Sequence, residues 1–342
     1  MNKKDRKPRI SPRLFLVFLC ILLGITALIS ISIGRYTIPP EQVIKGLMSK
    51  VLLTTPDLTP VMQTVLFDVR LPRIIAAILV GAGLSIAGAS FQGVFRNPLV
   101  SPYILGVSSG AGFGAGLGIL ISASMIVVQG MAFAFGIIAV GLACWLSSLY
   151  RRSSEIVMVL AGMIVGAFFS SLISLVQYLA DPYEALPAIV FWLMGSFSTV
   201  MVKDLIILGP VIIIASIILL LLRWRINVLS LGDEEAEALG VDIRKIKGSI
   251  IVCVTLISAA SVSLCGIIGW VGLVVPHVAR MFVGPDHRWL LPISFVIGAT
   301  YLLVVDDFAR TLTSAEIPLG ILTALIGAPF FAFLLTRKEV GW

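Results

Sequence analysis

The chain has 342 residues, 58% of them hydrophobic and only 13% charged, and a mean hydropathy of +1.07. Soluble domains carry about 25% charged residues, so a soluble globular protein is excluded. The net charge of +7 invites a nucleic-acid reading, but the basic residues gather in an arm before the first apolar run and at loop ends, which is a topology signal. Many runs approach the ~20 apolar residues that cross a bilayer, and they lack the short alternating segments of a membrane barrel. The fold class is therefore an all-α polytopic membrane protein, with no nucleic-acid partner.

The arm comprises Lys3, Lys4, Arg6, Lys7, Arg9 and Arg13. Arm plus apolar run also describes a signal peptide, but residues 14–33 are long for such a segment and lack a convincing cleavage site, so the run reads as a retained span. Ten spans are predicted: 14–33, 71–94, 103–122, 126–148, 156–179, 205–222, 248–264, 266–283, 289–309 and 317–336. Ten crossings place both termini on one side. With the arm cytoplasmic, 18 lysines and arginines fall inside and 7 outside, as the positive-inside tendency requires.

Along the chain, residues 95–118 carry Pro98 and Pro102, which end one helix and start another. Gly106, Gly110, Gly114 and Gly118 then recur every four residues as one face for close helix packing. A phosphate cradle is the competing idea, but the spacing is helical and no Gly-Lys-Ser/Thr follows. Between the fourth and fifth spans, Ser153 and Ser154 are two small hydroxyls at the inner end of a helix, readable as an N-cap.

The polar island 229–247, LSLGDEEAEALGVDIRKIK, separates two apolar runs. Asp233, Glu234, Glu235 and Glu237 suit the positive start of a short helix, and Gly240 suits its end. Ala236 and Leu239, three apart, give that helix a small apolar face that could enter a partner's groove, with Ala236 small because the partner lies close. A plain solvated connector is the alternative. Asp242, Arg244, Lys245 and Lys247 form a second polar turn. Further on, Leu273-Val274-Val275-Pro276 parallels Leu99-Val100-Ser101-Pro102 five spans earlier, an odd separation that suggests an inverted repeat of the transporter kind.

Other chemistry is sparse. Cys20, Cys144, Cys253 and Cys265 have no paired spacing and read as small apolar residues. His277 and His287 stand without cysteines, and no metal site, nucleotide fingerprint or catalytic nucleophile set is present, so no catalytic residue is assigned. Ionisable residues deep in spans are nearly lacking; Asp306 and Asp307 come closest, beside Arg310. A path without its own energy coupling, joined to an exposed docking helix, points to an energy source on another subunit. An ion-coupled secondary transporter is the runner-up.

The stretches 69–112, LGDEEAEALGV, GLVVPHVAR and IPLGILTALIGAPFF resemble the FecCD-type permeases, the membrane subunits of type II ABC importers for iron–siderophores, haem and vitamin B12. The resemblance spans essentially the whole chain, residues 1–342 as one permease domain. It implies a multi-pass protein of a prokaryotic inner membrane, working as a homodimer or close pseudo-dimer in the lipid bilayer. It further implies two separate ABC ATPase subunits inside, which hold the ATP and magnesium, an extracytoplasmic substrate-binding protein outside, and no cofactor in this chain. The island becomes the coupling helices, with Leu231, Gly232, Asp233, Glu234, Glu235, Ala236, Leu239 and Gly240 docking the ATPase. The cytoplasmic gate falls at Ser153 and Ser154. Arg70, Arg73 and Arg310 match arginines that meet acidic residues of the binding protein, against the plain alternative of snorkelling or pairing with Asp68, Asp306 or Asp307. An iron–siderophore is the expected cargo because that class dominates the family; haem, vitamin B12 and molybdate or tungstate are alternatives.

Overall fold

A backbone in hydrocarbon must satisfy its own N–H and C=O groups, and a helix does so within one segment. The structure, a computed structural model, describes residues 11–34, 36–51, 58–122, 124–150 and 155–336. Within them the order is α1 (Pro12–Ser32), α2 (Pro40–Val51), and α3 (Pro60–Gln63), which continues through a π-helical stretch (Thr64–Arg70) into α4 (Leu71–Val94). Next come α5 (Val107–Ile121), α6 (Met125–Ser148), α7 (Glu155–Leu179), α8 (Ala185–Met194) and α9 (Val202–Leu229). The chain closes with α10 (Asp233–Ala238), α11 (Ile243–Cys265), α12 (Val271–Val283), α13 (His287–Thr311) and α14 (Leu319–Thr336). The described residues contain no strand.

Seven helices are long and apolar enough to cross a bilayer: α1, the continuous segment Pro60–Val94, α6, α7, α9, α11 and α13. The other three expected spans are the shorter apolar helices α5, α12 and α14. The eighth expected span begins late, at Val271, because Gly266 and Trp270 both adopt positive φ and break the chain after α11. Two helices depart from the sequence expectation, α2 and α8. The second is an apolar ten-residue segment ended by Gly195.

Nearly every side of α4 is buried, and it packs against α9, α11, α12 and α13. Small residues permit this: a methyl on Gly88 would overlap the Gly272 carbonyl, and one on Gly81 the Gly298 carbonyl. The glycine face of α5 does what its spacing predicts, with Gly110, Gly114 and Gly118 lying against Phe135, Met131 and Val128 of α6. Gly106 departs from that face. It precedes the helix at φ 83 and lies against Gly162 and Gly166 of α7. The two look-alike stretches meet, Pro102 resting on Gly272 while the Tyr103 hydroxyl donates to the Ile268 carbonyl at 3.0 Å. In contrast α1 is hardly buried and presents Phe18, Cys20, Ile21 and Ile25 outward, as a lipid-facing helix would. Chain direction places α10 and the start of α7 at one end of the bundle, and α8 with the α13–α14 connection at the other.

Candidate docking and coupling site

The island folds as one short helix, α10, between two long ones. Gly232 precedes it at φ 146, and Asp233, Glu234 and Glu235 fill its first turn, where negative charge meets unpaired amides. Its end is a Schellman closure: Val241 N–H donates to the Ala236 carbonyl at 3.0 Å and Gly240 N–H to Glu237 at 2.9 Å, with Gly240 at φ 77. The second polar turn is not a separate helix. Asp242 caps α11, accepting from the Lys245 amide at 3.1 Å, and residues 243–247 are the first turn of that long span. The hydrogen bonds from the Lys245 side chain and amide hold the Asp242 carboxyl below its usual range.

One expected feature is corrected. Ala236 does not face a partner; it is fully buried with Leu229, Val241 and Ile246 of this chain. Its small size lets α10 lie flat on α9 and α11. Leu231 and Leu239 instead project outward, 65% and 58% exposed, beside exposed Glu234, Glu235 and Glu237. The outward face is thus apolar at its two ends and acidic between them. Ser153 and Ser154 lie outside the described residues, but Glu155, the first residue of α7, is placed and is tied to the island. Lys247 Nζ donates to Asp233 at 2.8 and 2.9 Å and to Glu155 at 2.9 Å, and Arg96 Nη2 donates to Glu155 at 2.9 Å.

At the same end, α9 is clamped to the α12–α13 turn. The Asn227 side chain donates to Asp286 and accepts from the His287 amide at 2.7 Å and from His287 Nδ1 at 2.9 Å. Burial alone would raise the Asp286 carboxyl, but hydrogen bonds from Arg288 and Asn227 prevail and hold it at about 2.

Arg70, Arg73 and Arg310 converge at the opposite end of the bundle, all buried and all engaged within the chain. Arg70 donates to the carbonyls of Ile31, Ser32 and Tyr36, closing off the end of α1 where helix carbonyls lack partners. Arg73 lies between Asp306, at 2.9–3.1 Å, and Glu316, at 2.8 and 2.9 Å. Arg310 pairs with Asp307 and with the Ser30 hydroxyl at 2.8 Å. In the isolated chain these groups cross-brace α1, α4, α13 and the segment before α14; Arg73 and Arg310 pair with Asp306 and Asp307 as the plain alternative has it, whereas Arg70 is held by backbone carbonyls and by none of the three aspartates. Asp68 is exposed on the π-helical stretch. A cavity of about 440 Å³ opens at this end between α8, the α5–α6 connection and α11, with Trp192, Thr199 and Ser263 in its wall. Among the described residues no group of His, Cys, Asp and Glu is arranged to hold a metal ion.

The outward face of α7 is apolar along most of its length, showing Ile156, Leu160, Met163 and Ile164 toward α10 and Phe168, Leu175 and Tyr178 toward α8. Ser170, Ser171 and Ser174 are exposed among the latter; Ser170 donates to Ser109 of α5 at 3.3 Å, and Ser171 and Ser174 donate to the Ala167 and Ser170 carbonyls of their own helix.

A bundle of many apolar helices long enough to cross a bilayer, with a short acidic helix seated at one end, is the architecture of a polytopic membrane protein. Comparison with known proteins gives the family. The FecCD transport family model matches residues 21–337, and the chain belongs to that family. The molybdate import system permease protein MolB of Haemophilus influenzae is 46% identical over 323 residues, which cover 94% of this chain and 95% of that one. The hemin transport system permease protein HmuU of Yersinia pestis is 36% identical, covering 97% and 98%. The fold matches a metal-chelate type ABC transporter solved in an inward-facing conformation, with a TM-score of 0.84 and 44% identity over 94% of this chain and 99% of that one. The chain is therefore a multi-span permease of the type II ABC importer class.

Proposed function

We propose that this permease carries a metal oxyanion of the molybdate class across a prokaryotic inner membrane. It works as a homodimer, receiving cargo from an extracytoplasmic binding protein and energy from two ATPase subunits that hold ATP and magnesium. The carrying observation is the 46% identity to a molybdate import permease over nearly the full length of both chains. Ile156, Leu160, Met163 and Ile164 at the α10 end of α7 would close the path by excluding water. A ferric chelate, the iron–siderophore expected from the resemblance, is the second reading, favoured by the likeness to a metal-chelate type transporter.

In this reading the basic arm and α10 are cytoplasmic, and Leu231 and Leu239 seat the outward face of α10 in the ATPase. Ser153 and Ser154, the residues that precede Glu155 in sequence, are assigned the gate. Arg70, Arg73 and Arg310 brace the outer rim and shape it for the binding protein. The test of docking separates the two faces of α10. Leu239→Glu should lose co-purifying ATPase by about 10-fold while the permease stays folded, as removal of an interface anchor does. Ala236→Trp should instead unfold the permease itself, because the side chain is fully enclosed. A Leu239→Glu permease that retains its ATPase would place docking elsewhere.

A further inference from the structure

We propose that Lys247, Glu155 and Arg96, with Asp233 of α10, form a positioning relay that transmits displacement of α10 to the first turn of α7. This inference rests on the reading of α10 as the ATPase-docking helix. It assigns what connects that helix to the rest of the path.

Four separate segments meet at this point. Asp233 opens α10, Lys247 stands in the first turn of α11, Glu155 opens α7, and Arg96 follows α4. Lys247 Nζ bridges the two carboxylates at 2.8–2.9 Å, Arg96 Nη2 takes Glu155 at 2.9 and 3.1 Å, and Arg96 also lies 3.9 Å from Asp233. The Lys247 and Glu155 side chains are only 20% and 27% exposed. Two cations interleaved with two carboxylates make a network, which holds geometry better than an isolated surface pair. Lys247 and Glu155 are 92 positions apart in sequence, so this link is spatial and not a continuation of the chain.

The backbone at Arg96 supplies an independent observation. Helix α4 ends with Asn97 N–H donating to the Gln92 carbonyl and Arg96 N–H to Gly93, which puts Arg96 at the left-handed position of a Schellman closure with φ 47. Glycine ordinarily occupies that position, and α10 itself uses Gly240 there. A side chain in this conformation crowds its own backbone, which glycine avoids. At Arg96 the strained position carries the guanidinium that reaches Glu155. Strain retained at a tie point is the pattern of a functional position.

A push on α10 therefore moves Asp233, and through Lys247 it moves Glu155, the first residue of α7. A merely structural staple would hold the same four groups together, and the experiment separates the two. Permease, ATPase and binding protein are reconstituted together in liposomes, and labelled molybdate imported per ATP hydrolysed is measured. Lys247→Met and Glu155→Gln should keep the ATPase bound and hydrolysing, while import per ATP falls about 10-fold, within the range by which relay positions modulate coupling. Lys247→Arg should restore most of it. Arg96→Gly should melt no lower than the wild type, because strain is relieved, yet still lose coupling.

Unchanged import per ATP in Lys247→Met, Glu155→Gln and Arg96→Gly alike would overturn the relay. So would variants that shed the ATPase or unfold, which would make the cluster a staple only. A wild-type complex that couples ATP to ferric-chelate uptake and not to molybdate overturns the cargo and leaves the relay to be read with the chelate. A wild-type complex without ATP-dependent uptake overturns the importer reading itself, and the relay with it.

Discussion

Asp306→Ala should lower the melting temperature of the detergent-solubilised protein sharply, with a loss on the order of 3–5 kcal/mol, because it strands a buried guanidinium. Asp306 is fully buried and accepts from Nε and Nη2 of Arg73 at 2.9–3.1 Å. Only Nη1 would keep a partner, Glu316. Arg73 cannot shed its charge, and the substituted methyl would supply no acceptor. Glu316 is 29% exposed, so water can replace it, and Glu316→Ala should cost about 1 kcal/mol, as a partly exposed ion pair does. Replacing both buried partners, Arg73→Met with Asp306→Leu, should recover most of the Asp306→Ala loss, since an apolar pair needs no desolvated charge. Equal melting of Asp306→Ala and Glu316→Ala would contradict the brace.

Gly88→Ala should abolish most of the folded protein. A helix-interior glycine replaced by alanine ordinarily gains about 0.5–1 kcal/mol through backbone entropy. At Gly88 the new methyl overlaps the carbonyl, carbon and Cα of Gly272, all backbone atoms with no rotamer to move aside. Helix α4 must then separate from α12, at a cost beyond the roughly 1–3 kcal/mol of ordinary overpacking. Gly141 of α6 meets nothing within 4 Å and is the control. Gly141→Ala should give at least the wild-type yield of monodisperse protein, whereas Gly88→Ala should give little. Comparable yields would show that the two backbones do not need this approach.

The ten-span order was legible because a run of about 20 apolar residues carries its own meaning in a bilayer. Helix α8 was not, since ten apolar residues containing Pro187 and ended by Gly195 match neither a span nor a polar loop. The existence, start and stop of α10 were readable from its acidic first turn and from Gly240. Which side of it faces inward was not. Ala236 and Leu239 are three apart, yet one is enclosed and the other exposed, and only the positions of α9 and α11 decide between them. The same limit applies to Arg70, Arg73 and Arg310. Their closeness to span ends was evident, but the partners of Arg73 lie 233 and 243 positions away. Likewise Lys247 read only as part of a polar turn, and its bridge to Glu155 exists only in the folded chain.

The most direct measurement is uptake by liposomes containing the permease, its ATPase and its binding protein, with ATP and an ion or proton gradient imposed in turn. The account predicts accumulation of labelled molybdate that follows ATP hydrolysis, needs the binding protein and is indifferent to the gradient. Accumulation driven by a gradient without ATP would contradict it and return the chain to the ion-coupled transporter class.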